Sequence, residues 1–158
     1  MKIRLGFVSN SSSSSFIVSF HTSPESVEEV RKQMFGDKSA KDIWTDEVTI
    51  GSITKQVFKD IQQAGKPANK KEITEAISCG WYPGIPDVPK GDYSQKKWDA
   101  FNKESDKGAD KLARKFIIEN KDRTIYTFDY GDDDGKFFEV MEHSDIFLRL
   151  PHLQISCH

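Results

Sequence analysis

Residues 8–20 read VSNSSSSSFIVSF, an asparagine and five consecutive serines set between two short apolar runs. Phe16-Ile17-Val18-Ser19-Phe20 is dense in β-branched and aromatic side chains and stops at His21-Thr22-Ser23-Pro24, which predicts a strand. The serines before it are open to three readings. Successive backbone amides at Ser11, Ser12 and Ser13 could cradle an anion. The phosphate-loop and GxSxG patterns that would strengthen this reading are absent. Modification of the hydroxyls is a second reading. The favoured one is a polar loop or extended edge over Ser9 to Ser15, because Phe7, Val8, Phe16 and Val18 supply apolar anchors on both sides.

Working outward, Ser23 and Pro24 read as N-cap and first residue of a helix carrying Val27, Val30 and Met34, ended by Gly36. Over Asp37 to Val48 the periodicity decides nothing. Ser52 is the expected cap of a second helix with an Ile53, Val57, Phe58, Ile61 stripe, closed at Gly65. Asn69 through Glu72 has capping-box character for a third, carrying Ile73, Ala76 and Ile77. The short link between these two helices suggests an antiparallel pair. Trp81 to Pro89 is a proline-rich connector expected to lie across the fold with Trp81 as anchor. A fourth helix starts near Ser94, with Trp98, Phe101, Ala109, Leu112 and Phe116 on one stripe and Gly108 as a break. Thr124 to Tyr130 and Phe137 to Glu142 read as two strands of a hairpin joined by Gly131 to Gly135. A helical turn from Ser144 to Leu150 precedes a last strand, Leu153 to Cys157.

The expected fold is therefore α+β, one domain over residues 1–158, a mainly antiparallel sheet of about four strands covered by about four helices. The chain has 11 Phe, 4 Tyr and 3 Trp to fill a core, and a formal net charge of -2 gives no global pull toward nucleic acid or anionic membrane. No apolar run approaches a membrane span or a signal-peptide core, so a cytoplasmic location is expected. Cys79 and Cys157 lack metal-site spacing and are expected as reduced thiols. On the fourth helix, lysines and arginines alternate with acids, which predicts a salt-bridged face and makes nucleic acid an unexpected partner.

Chemistry concentrates near the C-terminus. Three of the four histidines, His143, His152 and His158, lie there beside carboxylates, whereas His21 sits in a turn and reads as structural. The set Asp129, Asp132, Asp134, Glu142, His143, His152 and His158 offers mixed ligands for a divalent metal. Glu142 and His143 are the candidates for acid–base catalysis. The competing readings are a solvated acidic turn and an ordinary carboxylate–histidine pair.

GFVSNSSSSSF at residues 6–16 resembles the opening shared by a set of functionally uncharacterised proteins of bacteria and their phages, and EHSDIF, LPH and IS.H near the end are similar to their ends. The resemblance covers the two ends and leaves the middle uncovered. It implies an intracellular prokaryotic or phage protein whose ends belong to one structural unit, and it transfers no catalytic residue. The preferred expectation is an interaction protein that binds another protein through Trp81, Tyr82, Ile85, Ile146 and Phe147. Its rival is a divalent-metal-dependent hydrolase of phosphoester-type substrates using the C-terminal cluster.

Overall fold

The computed structural model describes residues 12–91 and 94–157. Among these the fold is α+β, with a three-stranded antiparallel sheet ordered β4-β1-β5, a two-stranded sheet β2-β3 and helices on both faces of the larger sheet. The central strand β1 spans Ser13–Phe20. It pairs with β4 (Thr124–Gly131) in the register Phe16↔Phe128 and with β5 (His152–Ser156) in the register Phe16↔Gln154. The two ends of the chain thus meet in one sheet. The strand runs back into the serines, and it is central where the sequence suggested a loop or an edge. Serine has no β preference of its own, and its hydroxyls are satisfied here by tertiary partners instead.

Strand alternation divides two cores. Phe16, Val18 and Phe20 of β1 and Tyr126, Phe128 and Tyr130 of β4 face α1 (Val27–Phe35), α2 (Ile50–Ala64) and α5 (Lys136–His143). Ile17, Ile125 and Ile155 face the opposite layer, formed by α3 (Lys70–Ser78) and α4 (Gln95–Glu119). Helices α2 and α3 therefore belong to different layers and do not form the expected antiparallel pair. Their apolar stripes point to opposite sides of the sheet. Instead α3 lies against α4, where Asp110 takes Lys70 of α3 at 2.6 Å and Arg114 at 2.7 Å. The Lys70 hydrogen bond, then that of Arg114, lowers the Asp110 pKa.

Local corrections have local causes. Helix α1 is capped by Ser26, whose Oγ accepts from the Glu29 amide, because Ser23 is engaged with the Tyr126 hydroxyl at 2.6 Å. Helix α2 is capped by Thr49 and not Ser52, since Ile50 is already buried in the first turn. The capping box of Asn69 and Glu72 is present in full. Asp46 and Glu47, both at positive φ, make the tight turn of the small β2 (Ile43–Thr45) and β3 (Val48–Thr49) hairpin. Helix α4 is continuous through Gly108, where a Cβ would stand 2.5 Å from the Tyr82 hydroxyl, so this glycine makes room for Tyr82.

The largest correction concerns Phe137 to Glu142. These residues are helix α5, reached from β4 through a 3-10 turn at Asp132–Asp134 and Gly135 at φ 101°. Val140 and Met141 are buried on its inner face, with Phe137 and Phe138 packed half-buried beside them. A short apolar run fits either period, and tertiary burial chose the helical one.

Candidate functional site

The serine run and the C-terminal acids belong to the same place. Glu142, on the last turn of α5, is buried with its side chain fully covered. One carboxylate oxygen accepts the Ser14 hydroxyl at 3.0 Å and the other lies 2.8 Å from the Ser12 hydroxyl. Ser12 Oγ also lies 3.0 Å from His143 Nε2 and 3.2 Å from an Asp132 carboxylate oxygen. The Asp132 amide donates to the Ser12 carbonyl, which fixes the start of the 3-10 turn against β1. Gln154 on β5 closes the cluster, its side-chain amide donating to the Glu142 carbonyl at 3.1 Å and to Ser14 Oγ at 3.3 Å.

The proton count of this cluster is informative. A hydroxyl carries one proton, so Ser12 donates to one of its three neighbours, and each of the other two contacts is a hydrogen bond only if that neighbour presents a proton. His143 Nε2 is able to do so, and it also lies 3.3 Å from the Glu142 carboxylate. A hydroxyl, an imidazole and two carboxylates thus meet around one oxygen. The arrangement differs from a nucleophile–base–carboxylate relay, in which the acid orients the base from its far nitrogen. Here Glu142 and Ser12 both meet Nε2. Among the described residues one oxygen of Asp132 is buried without a hydrogen-bond partner.

On the opposite face of β1 the odd serines meet different partners. The Ser15 hydroxyl donates to Asp129 and lies 3.3 Å from the sulfur of Cys79. Ser13 donates to the Cys157 carbonyl at 3.0 Å. Cys79 and Cys157 form a disulfide, with Cα atoms 5.9 Å apart, where separate reduced thiols were expected. The end of α3 comes down onto the end of β5, because the Trp81 amide donates to the Ser156 carbonyl at 2.9 Å. Gly80 permits this approach, since a Cβ there would collide with the Ser156 carbonyl.

The sequence-predicted metal set is therefore divided. Asp132, Glu142 and His143 come together, whereas Asp129 projects to the other side of the sheet and pairs with Ser15. Asp134 is exposed, His152 is turned to the Leu150 carbonyl at 2.8 Å, and His158 lies outside the described residues. Among the described residues no group of three or more His, Cys, Asp or Glu side chains is disposed to hold a metal ion. Of the three anion candidates, Ser12 faces two carboxylates, Ser13 is spent on a backbone carbonyl, and Ser11 lies outside the described residues.

The expected contact surface is also redistributed. Ile146 and Phe147 are each 1% exposed and Tyr82 is 5% exposed, so these are core residues and not contacts. The Tyr82 hydroxyl donates to the buried Ser105 carbonyl at 2.5 Å. Trp81 remains 49% exposed at the sheet edge, with Ile85 half-buried beside the second core. In the C-terminal turn Leu148, next to Phe147, is the exposed apolar residue. A shallow depression lined by Pro86, Pro89, Lys97 and Phe101 shares no residue with the polar cluster. Among the described residues no helix is long and apolar enough to cross a membrane. No family model, curated protein or solved structure matches the chain, so its candidate sites rest on this geometry alone.

Proposed function

We propose that the chain is a small cytoplasmic interaction protein, in the bacterial or phage setting that its ends resemble, which binds another protein without turning over a substrate. What supports this is Trp81. A large aromatic side chain stands half-exposed while its backbone is pinned to β5, and it is followed by the fixed turn of Pro83 and Gly84. Pre-ordered aromatics of this kind dominate binding energy because little freedom is lost when they are covered. Affinity purification of the native chain beside Trp81→Ala tests it, with thermal melting to show that both are folded. Loss of partner recovery in the variant is expected, and equal recovery counts against this surface.

A second reading, hydrolysis at the Ser12 cluster, is favoured by one observation: Asp132, Glu142 and His143 converge on a single hydroxyl. The metal-dependent phosphoester form of this reading needs a ligand set other than these three, since no three His, Cys, Asp or Glu side chains among the described residues are disposed to hold an ion. Elemental analysis of the purified protein and of His143→Ala decides it. A near-stoichiometric ion lost in the variant supports hydrolysis, and equal metal content in both forms rejects the metal-dependent form.

A further inference from the structure

The disulfide lies where the proposed contact residue is anchored. Cys79 is the C-terminal cap of α3 and exposed, Cys157 is half-buried after the end of β5, and Trp81 is held to Ser156 between them. We infer that Cys79–Cys157 is a reversible redox site that controls the order of the Trp81 edge. The consequence for binding rests on the reading of Trp81 given above, whereas the change in order stands by itself.

The chemistry requires a low-molecular-weight thiol such as glutathione. Its thiolate attacks the exposed Cys79 sulfur, forming a mixed disulfide there and releasing Cys157 as a thiolate that takes a proton from water. A second thiol attacks the mixed disulfide, frees Cys79 and leaves as the small-molecule disulfide. Two electrons and two protons pass to the protein. The Ser15 hydroxyl, held by Asp129 and 3.3 Å from the Cys79 sulfur, stands ready to hydrogen-bond the thiol produced.

Reduction removes the one covalent tie between the layer of α3 and the end of β5. The contacts that remain at that end include the Trp81–Ser156 backbone bond, the Ser14↔Ser156 pairing, and the contacts of Cys157 with Ser13, the amide bond at 2.8 Å and the hydroxyl bond at 3.0 Å. The core positions of β1, such as Ile17 and Val18, are held from both sides and do not depend on the tie. Local opening at the edge therefore becomes easier without global unfolding.

The test uses the purified native chain with oxidised and reduced glutathione in defined ratios. Maleimide labelling followed by intact mass counts free thiols, and hydrogen exchange reads the amides of Trp81 and Cys157 against those of β1. Two thiols released in folded protein are expected, with exchange at Trp81 and Cys157 faster by about tenfold or more and β1 unchanged. The double variant Cys79→Ser, Cys157→Ser should show the fast pattern in either buffer. Failure to release thiols without denaturant, or thiol release with unchanged exchange at Trp81, overturns the inference. If the exchange responds as expected but partner recovery is the same in both redox states, the order switch stands and the role of Trp81 in binding falls.

Discussion

Replacing Glu142 by alanine should be among the most damaging single changes outside the apolar cores. The carboxylate is fully covered and accepts from Ser14 at 3.0 Å, with Ser12 at 2.8 Å on its other oxygen. Hydrogen bonds to a charged group contribute about 1.5–3 kcal/mol each, and a buried donor left without an acceptor carries its own penalty. Ser14 is 3% exposed and water cannot easily replace the lost partner, whereas Ser12 is nearer the surface. The expected loss is about 3–5 kcal/mol, which lowers the melting temperature by about 10 °C in a chain of this size. Glu142→Gln keeps one acceptor and the shape, so its cost should be about 1–2 kcal/mol. Urea unfolding of both variants and of Ser14→Ala measures these values. The Ser14→Ala, Glu142→Ala cycle should give a coupling of about 1–3 kcal/mol. A Glu142→Ala protein within about 0.5 kcal/mol of native, or a coupling near zero, would refute the claim that this carboxylate clasps α5 to β1.

Other consequences are independent of that cluster. The disulfide spans a sequence separation of 78 residues, for which chain-entropy arguments give about 4.5 kcal/mol; Cys79→Ser should lose up to this amount in oxidising buffer and nothing relative to native in excess reductant. Burial, and then the neighbouring Asp60 that accepts its hydroxyl at 2.7 Å, raises the Tyr130 pKa well above the ordinary tyrosine value. The folded state then keeps a proton that the unfolded chain releases, so this stability is full below about pH 10 and falls as pH rises from there toward the folded pKa. Melting curves of Tyr130→Phe should show a smaller alkaline loss than native protein. Gly80→Ala should displace the end of α3 from Ser156 and slow formation of the disulfide, visible as free thiol after air oxidation.

Much of the fold is legible where local and tertiary preferences agree. The Phe16–Phe20 run, the Asn69 capping box and the alternation of Leu153, Ile155 and Cys157 each point to the structure that forms. The failures occur where tertiary partners decide. Ser13, Ser14 and Ser15 have no local reason to enter a central strand, and their reason lies in Cys157, Glu142 and Asp129, more than a hundred residues away. Phe137 to Glu142 has a pattern that suits strand or helix, and reading it as a strand placed Asp129 with the other acids. With α5 in its place, Asp132, Glu142 and His143 stay together, whereas alternation along β4, between Phe128 and Tyr130, turns Asp129 to the far face. Pairing of Cys79 with Cys157 depends on α3 ending beside β5, a contact that no spacing in the sequence encodes.

The most direct test of the central functional claim is photo-crosslinking in cells from a photoreactive residue at position 81, with the apolar and still more exposed Ile43 position as control. A discrete crosslinked protein from position 81 and none from position 43 is the predicted result. No product from position 81, or the same products from both positions, would contradict the assignment of Trp81 as the contact with a protein partner.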